Sequence, residues 1–184
     1  EPLLRLTQLW RALDARSNSG SIGEGWPEYS LAQAVQRSPT VFNFFLPNYQ
    51  LPGEIATAGL YSPEFQITTD TYITRLSNDI GGKIYWAYRG NPWLGDWDPG
   101  QIDLAPYMAM AEEPGADLDR LDLLFMARRM SMPMYETLKA HAEDIDVGPY
   151  EWDESGEWRQ NQMRERVQDL IWLTLMSAED VVEK

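Results

Sequence analysis

The residues best suited to chemistry lie in one stretch, WAYRGNPWLGDWDPGQID, running from Trp86 to Asp103. Asp96 and Asp98 stand two residues apart in a Gly- and Pro-rich loop, with Asp103 five residues further on. Hard cations such as Ca²⁺ take about six to eight oxygens from loops of this kind, and alternating aspartates can converge on one ion. The full EF-hand spacing with its terminal Glu is missing. The plainer reading is a solvated turn in which Asp103 caps a helix. No cofactor is expected; Ca²⁺ is the ion that Asp96, Asp98 and Asp103 would take if they converge.

The same loop carries Trp93 and Trp97, four residues apart, with Asn91 close by. Two indoles edged by amide and carboxylate groups make a flat face that suits a sugar, another amphipathic ligand or a partner protein. The competing reading is that both indoles fold back on their own domain. Further on, Glu143, Asp144, Asp146, Glu151, Asp153, Glu154 and Glu157 form an acidic run. Paired carboxylates can cleave glycosides, but only as two positioned groups in a cleft, one with a raised pKa. Spread along a Gly- and Pro-containing segment, these residues read as a solvated face. His141 is the single histidine, and the chain has no cysteine. A Ser-His-Asp relay has no obvious serine here, a thiolate metal site is excluded, and His141 reads as a packed or capping residue.

Composition bounds what such residues can serve. The 184 residues fit one domain, long enough to bury roughly two thirds of the unfolded surface. With 29 acidic against 15 basic residues the formal charge is −14. That field repels phosphate backbones, so nucleic acid is not expected as a partner. The longest apolar run, Leu170 to Met176, is far short of the roughly 20 residues that span a bilayer. The 8 Trp, 9 Tyr and 5 Phe favour large flat contacts in the core or with a partner.

The elements that must position the loop are helical. Leu3, Leu6, Leu9, Trp10 and Leu13 recur at helical spacing, and Ser17 to Gly25 is too polar to order itself by burial and is expected to be a mobile loop. A short helix is expected over Tyr29 to Gln36. A long one should start at Ser62 as N-cap with Pro63 first, carry Phe65, Thr69, Tyr72, Ile73, Leu76, Ile80 and Ile84 inward, and end or kink near Gly81-Gly82. Further helices are read over Ile102–Met110, over Asp117–Ala127, after Ser131 with Pro133 in the first turn, and over the Met163, Val167, Leu170, Ile171, Thr174 stripe. Ser177-x-x-Asp180 has capping-box form and predicts a last turn running out at Lys184. No strand pattern or repeat emerges. The expected fold is all-α, an irregular bundle of about six to eight helices with long aromatic-rich connecting loops.

The most distinctive connector is SPTVFNFFLPNYQLPGEIATAGLYSPEFQITTD, Ser38 to Asp70. Pro39, Pro47, Pro52 and Pro63 bar a single regular element. It is expected to lock the helices together, with Phe42, Phe44, Phe45 and Phe65 as wedges between them and Asn43 and Glu64 tying loop amides. A docking groove for a protein partner, or for an N-terminal part of the same protein, is the rival reading.

At SPTVFNFFLPNYQLPGE, followed by AGLYSPEFQI, the chain resembles the C-terminal part of the large bacterial family catalogued as domain of unknown function 1800. EPLLRLTQLWRAL, LDRLDLLFMARRMS and RVQDLIWLTLMSAEDVVEK extend the resemblance over nearly the whole chain. It implies a longer helical protein, usually exported to the periplasm or cell exterior and often encoded beside a second exported family related to sulfatases and alkaline phosphatases. It implies no activity. GNPWLGDWDPG and VGPYEWDESGEW depart from the pattern, so specificity carried by them would belong to this protein alone. Residues 1–184 are accordingly expected to be one helical domain at the C-terminal end of a longer chain, since the sequence opens in helical register without a methionine.

Two functions are carried forward. The first is a non-enzymatic exported binding or assembly component that uses its aromatic loops on a protein partner or glycan. The second is a hydrolase, metal-dependent and polysaccharide-directed, with its site partly in a preceding region.

Overall fold

In the computed structural model, which describes residues 1–180, the chain is all-α. Eight α-helices follow in order: α1 Pro2–Ala12, α2 Pro27–Leu31, α3 Glu54–Thr57, α4 Asp70–Tyr85, α5 Ala105–Met108, α6 Pro114–Leu121, α7 Met132–Asp144 and α8 Glu157–Met176. Short 3-10 turns lie at Pro63–Gln66 and Ala178–Asp180, and a π turn at Asp122–Met126 extends α6. Among the described residues there is no strand, and no helix is long and apolar enough to cross a membrane.

The packing centre is α8. Its Val167, Leu170, Ile171 and Leu175 are essentially inaccessible and meet Leu76, Ile80 and Ile84 of α4, Leu118 and Leu121 of α6, and Leu138 of α7 in one cluster with Leu6 and Leu9 of α1. Each such side chain stabilises the fold by about 1.5–3 kcal/mol relative to an exposed one. Arg166 and Gln168 of α8 are buried as well, because neighbours surround the helix on most sides. Their polar groups are spent on distant carbonyls: Gln168 Nε2 donates to Ile84 O at 2.7 Å, and Arg166 Nη1 to Ala111 O at 2.9 Å. These bonds close gaps between helices that apolar contact alone would leave unsatisfied.

Several expected boundaries move. The long helix does not start at Ser62. That hydroxyl is buried and accepts the Leu51 N–H at 2.9 Å, which leaves Pro63–Gln66 as an isolated 3-10 turn. Thr69 caps α4 instead, accepting from Tyr72 N at 3.4 Å, and Ile73, expected inside, is 48% exposed. Gly81-Gly82 does not interrupt α4; the Gly81 backbone faces Trp172 of α8. The helix expected over Tyr29 to Gln36 stops at Leu31, where Ala32 turns left-handed at φ 54°. Asp117–Ala127 begins earlier, at Pro114, and widens into the π turn, which left-handed Ala127 and Arg128 end. Of Ile102–Met110 only Ala105–Met108 is helical.

Ser131 does cap α7, accepting from Met134 N at 3.2 Å, and its own hydroxyl donates to Glu179 at 2.6 Å. Ser177 stands at the C-cap of α8, with a 3-10 turn following it. The remainder of the final turn, to Lys184, lies outside the described residues.

The connector is fastened differently from expectation. Glu64 ties no loop amide; it forms a buried ion pair with Arg5 of α1, Oε1 to Nη2 at 2.8 Å. Asn43 sits at φ 73° with its side chain directed to the Glu1 carboxylate, 3.3 Å away. Phe42 is no wedge: it is 70% exposed, while Phe44, Phe45 and Phe65 are only half-buried. With four prolines and hydrogen bonds that are mostly local turns, this segment is pinned to the helices at points.

Candidate functional site

Three chain segments converge at one end of α4. The first is residues 101–103, which run between two other strips of backbone. Arg16 and Gln101 exchange both main-chain hydrogen bonds at 3.0 and 2.8 Å, and Ile102 N donates to Ala87 O at 2.8 Å. This clamp fixes the base of the Trp-rich loop. The second is the polar loop 17–25. It does not order itself by burial; the Asn18 and Ser19 amides donate to Asp98 Oδ1 and Oδ2 at 2.7 and 2.8 Å, which also holds the Asp98 pKa below the usual carboxylate range. Ile22 packs so tightly on Gly100 that a Cβ there would stand 2.6 Å from Ile22 Cγ2.

The third segment is α4 itself. Lys83 Nζ lies 2.7 Å from Asp79 Oδ1 on the same helix and 2.7 Å from Glu24 Oε2 in the polar loop. Burial pushes the Asp79 carboxyl up, and Lys83 only partly offsets it.

Between these segments opens a cleft of about 520 Å³. Its aromatic lining is Trp10, Trp86 and Trp97; its polar lining includes Glu24, Asn78, Asp79, Lys83 and Asp98. Trp86 and Trp97 are 60% and 62% exposed, whereas Trp10 is half-buried. Two polar atoms among these residues, Trp10 Nε1 and Asp79 Oδ2, are buried and have no hydrogen-bond partner. Gly82 leaves the helix face bare where it meets the cleft. Indole faces beside carboxylate, amide and ammonium groups can hold a ligand that is apolar on one face and hydroxylated at its edges.

No family model, no curated protein and no solved structure matches the chain. The site therefore rests on its own geometry.

The sequence-based candidates separate. Trp97 lines the cleft; Trp93, 83% exposed, does not, and projects outside it. Asn91 is not at the edge of a contact face. It is buried, donates from Nδ2 to Trp86 O at 2.6 Å and accepts the Trp93 N–H at 3.0 Å, so it braces the loop. The three aspartates do not converge. Asp98 holds the 17–25 loop, Asp103 pairs with Arg89 at 2.9 Å and accepts from Ala105 N, and Asp96 is exposed. Among the described residues no group of three or more His, Asp or Glu side chains could hold a metal ion.

The acidic run stays spread along the α7–α8 crossover, yet Asp153 caps α8 through the Trp158 and Arg159 amides at 3.2 and 3.0 Å. His141, expected as a packed or capping residue, lies on the surface in the last turn of α7 with Nε2 2.8 Å from Asp169, whose other oxygen takes the Tyr85 hydroxyl at 2.6 Å.

Sequence reasoning missed Trp10, Glu24, Asp79, Lys83 and Trp86. Trp10 passed as part of an apolar stripe, and Asp79 and Lys83, four apart on one helix, carry no signal in the sequence beyond that of an ordinary surface pair. Gly82 was the available signal, since its missing side chain bares the helix face toward the cleft, while Gly81 packs on Trp172.

Proposed function

We infer that the chain is a non-enzymatic binding module of an exported protein, taking a hydroxyl-rich glycan in the Trp-lined cleft. The observation that carries this reading is the convergence of Trp10, Trp86 and Trp97 with Asp79, Glu24 and Asn78 around one cavity. Sugar rings present C–H faces to indoles and hydroxyls to carboxylates, and the cleft supplies both types of surface at a size that suits a short oligosaccharide. The −14 charge argues against phosphorylated ligands. Titration of the protein with neutral oligosaccharides such as cellotetraose, followed by tryptophan fluorescence, tests it. A saturable change supports the reading, and a flat titration across neutral and amino-sugar oligomers refutes it.

A second reading, hydrolysis of the bound glycan, is favoured by one observation: two carboxylates of the same cleft are pushed in opposite directions, Asp79 up and Asp98 down. Acid–base cleavage of a glycoside uses two carboxylates held at different pKa values, and both of these line the cleft. Chromatography of oligosaccharides after prolonged incubation tests it, with shortened products expected.

A further inference from the structure

The charges around the cleft are unbalanced. Glu24, Asp79 and Asp98 face Lys83, and among the described residues that line the cleft no arginine or second lysine joins it. Lys83 is already shared, its ammonium lying 2.7 Å from both Glu24 and Asp79. Asp98 is different. Its carboxylate meets backbone amides, not a cation, so two neutral donors orient it while its full charge remains uncompensated. It stands at the rim directly after Trp97, whose indole is largely open. A carboxylate and an exposed indole lining the same cleft attract an organic cation, through Coulomb attraction and through the negative face of the ring. Anionic sugars meet the opposite field.

We propose that the ligand of this cleft is an amine-bearing sugar of the glucosamine type, with its ammonium group seated at the rim formed by Asp98 and Trp97. The proposal rests on the glycan reading above and narrows it.

The test is calorimetric titration of the full chain with tetraglucosamine, N-acetylated chitotetraose and cellotetraose, in mildly acidic buffer where the free amines are charged. Tetraglucosamine is expected to bind about tenfold tighter than either neutral oligomer, with the advantage shrinking as salt screens the rim. Asp98→Asn removes the charge while keeping only one of the two oxygens that accept from the loop amides, and, with circular dichroism and the affinity for cellotetraose reporting whether the loop holds, should bring tetraglucosamine to the level of cellotetraose. Should that variant fail to fold, the salt series on the unaltered protein decides alone. Equal binding of all three oligomers, or tighter binding of a neutral one, overturns the amine assignment and leaves the glycan reading standing. Absence of binding by all three overturns both.

Discussion

Replacing Asp117 with asparagine should stabilise the protein at neutral and alkaline pH and do little in acid. Asp117 sits in α6 with no solvent exposure, and neither carboxylate oxygen has a hydrogen-bond partner. Arg120 and Arg166 lower its pKa by their charge, but both guanidinium groups are engaged elsewhere. Arg166 donates to Ala111 O and Ile145 O, and Arg120 lies 4.9 Å over the Tyr107 ring. Burial wins, and the carboxyl is pushed up to about 7 from 3.8. The folded state therefore holds a proton that the unfolded state releases once the pH exceeds about 4. Stability contributed by this group is full below the unfolded pKa and is lost as pH rises toward 7, after which it levels off. A shift of this size corresponds to about 4 kcal/mol at most. Urea denaturation of both proteins at about pH 4 and about pH 8 measures it, because the double difference cancels every other titrating group. The variant should match the wild type within about 1 kcal/mol in acid and exceed it by about 2–4 kcal/mol in base. An equal difference at the two pH values would refute the assignment of a protonated, unpaired Asp117.

Other expectations concern the connector and the cleft walls. Glu64→Gln removes the charge that meets buried Arg5, and should cost about 3 kcal/mol in urea denaturation and speed proteolysis between residues 38 and 61; unchanged stability would contradict the anchoring role. Gly100→Ala drives a Cβ into Ile22, which should displace the 17–25 loop and weaken oligosaccharide binding about tenfold, with Ile22→Ala in the same chain restoring it by freeing the contact. Binding lost in both the single and the double variant would point to a different cause. Gln168→Leu leaves the Ile84 carbonyl without its side-chain donor and should lower stability by about 1–3 kcal/mol, read as a drop in the urea midpoint.

The helices were legible where burial repeats at helical spacing. Leu6, Leu9 and Leu13, then Leu76, Ile80 and Ile84, then Val167, Leu170, Ile171 and Thr174 all read inward and are buried. Boundaries were less so, because a cap competes with tertiary partners: Ser62 looks like an N-cap until its hydroxyl is drawn to Leu51. Buried Arg166 and Gln168 were illegible, since their acceptors are backbone carbonyls tens of residues away. The same distance hid the cleft. Trp97 could be singled out from its loop, but its companions Trp10 and Asp79 reach it only through the clamp at 101–103 and the Asp98 bonds to Asn18 and Ser19, contacts spanning 80 and 79 residues. The aromatic connector misled for a physical reason. A Phe-rich segment need not be buried when its prolines keep it from packing in a regular element, and Phe42 faces solvent.

The most direct test of the cleft as the binding site compares two neighbouring indoles. Trp93→Ala and Trp97→Ala remove two largely exposed rings from one loop, only the second of which lines the cleft. Calorimetric titration with the oligosaccharide that binds the wild type best should show about a tenfold loss or more for Trp97→Ala and no change for Trp93→Ala, with melting temperatures alike. Equal losses in both variants, or a loss confined to Trp93→Ala, would contradict the account.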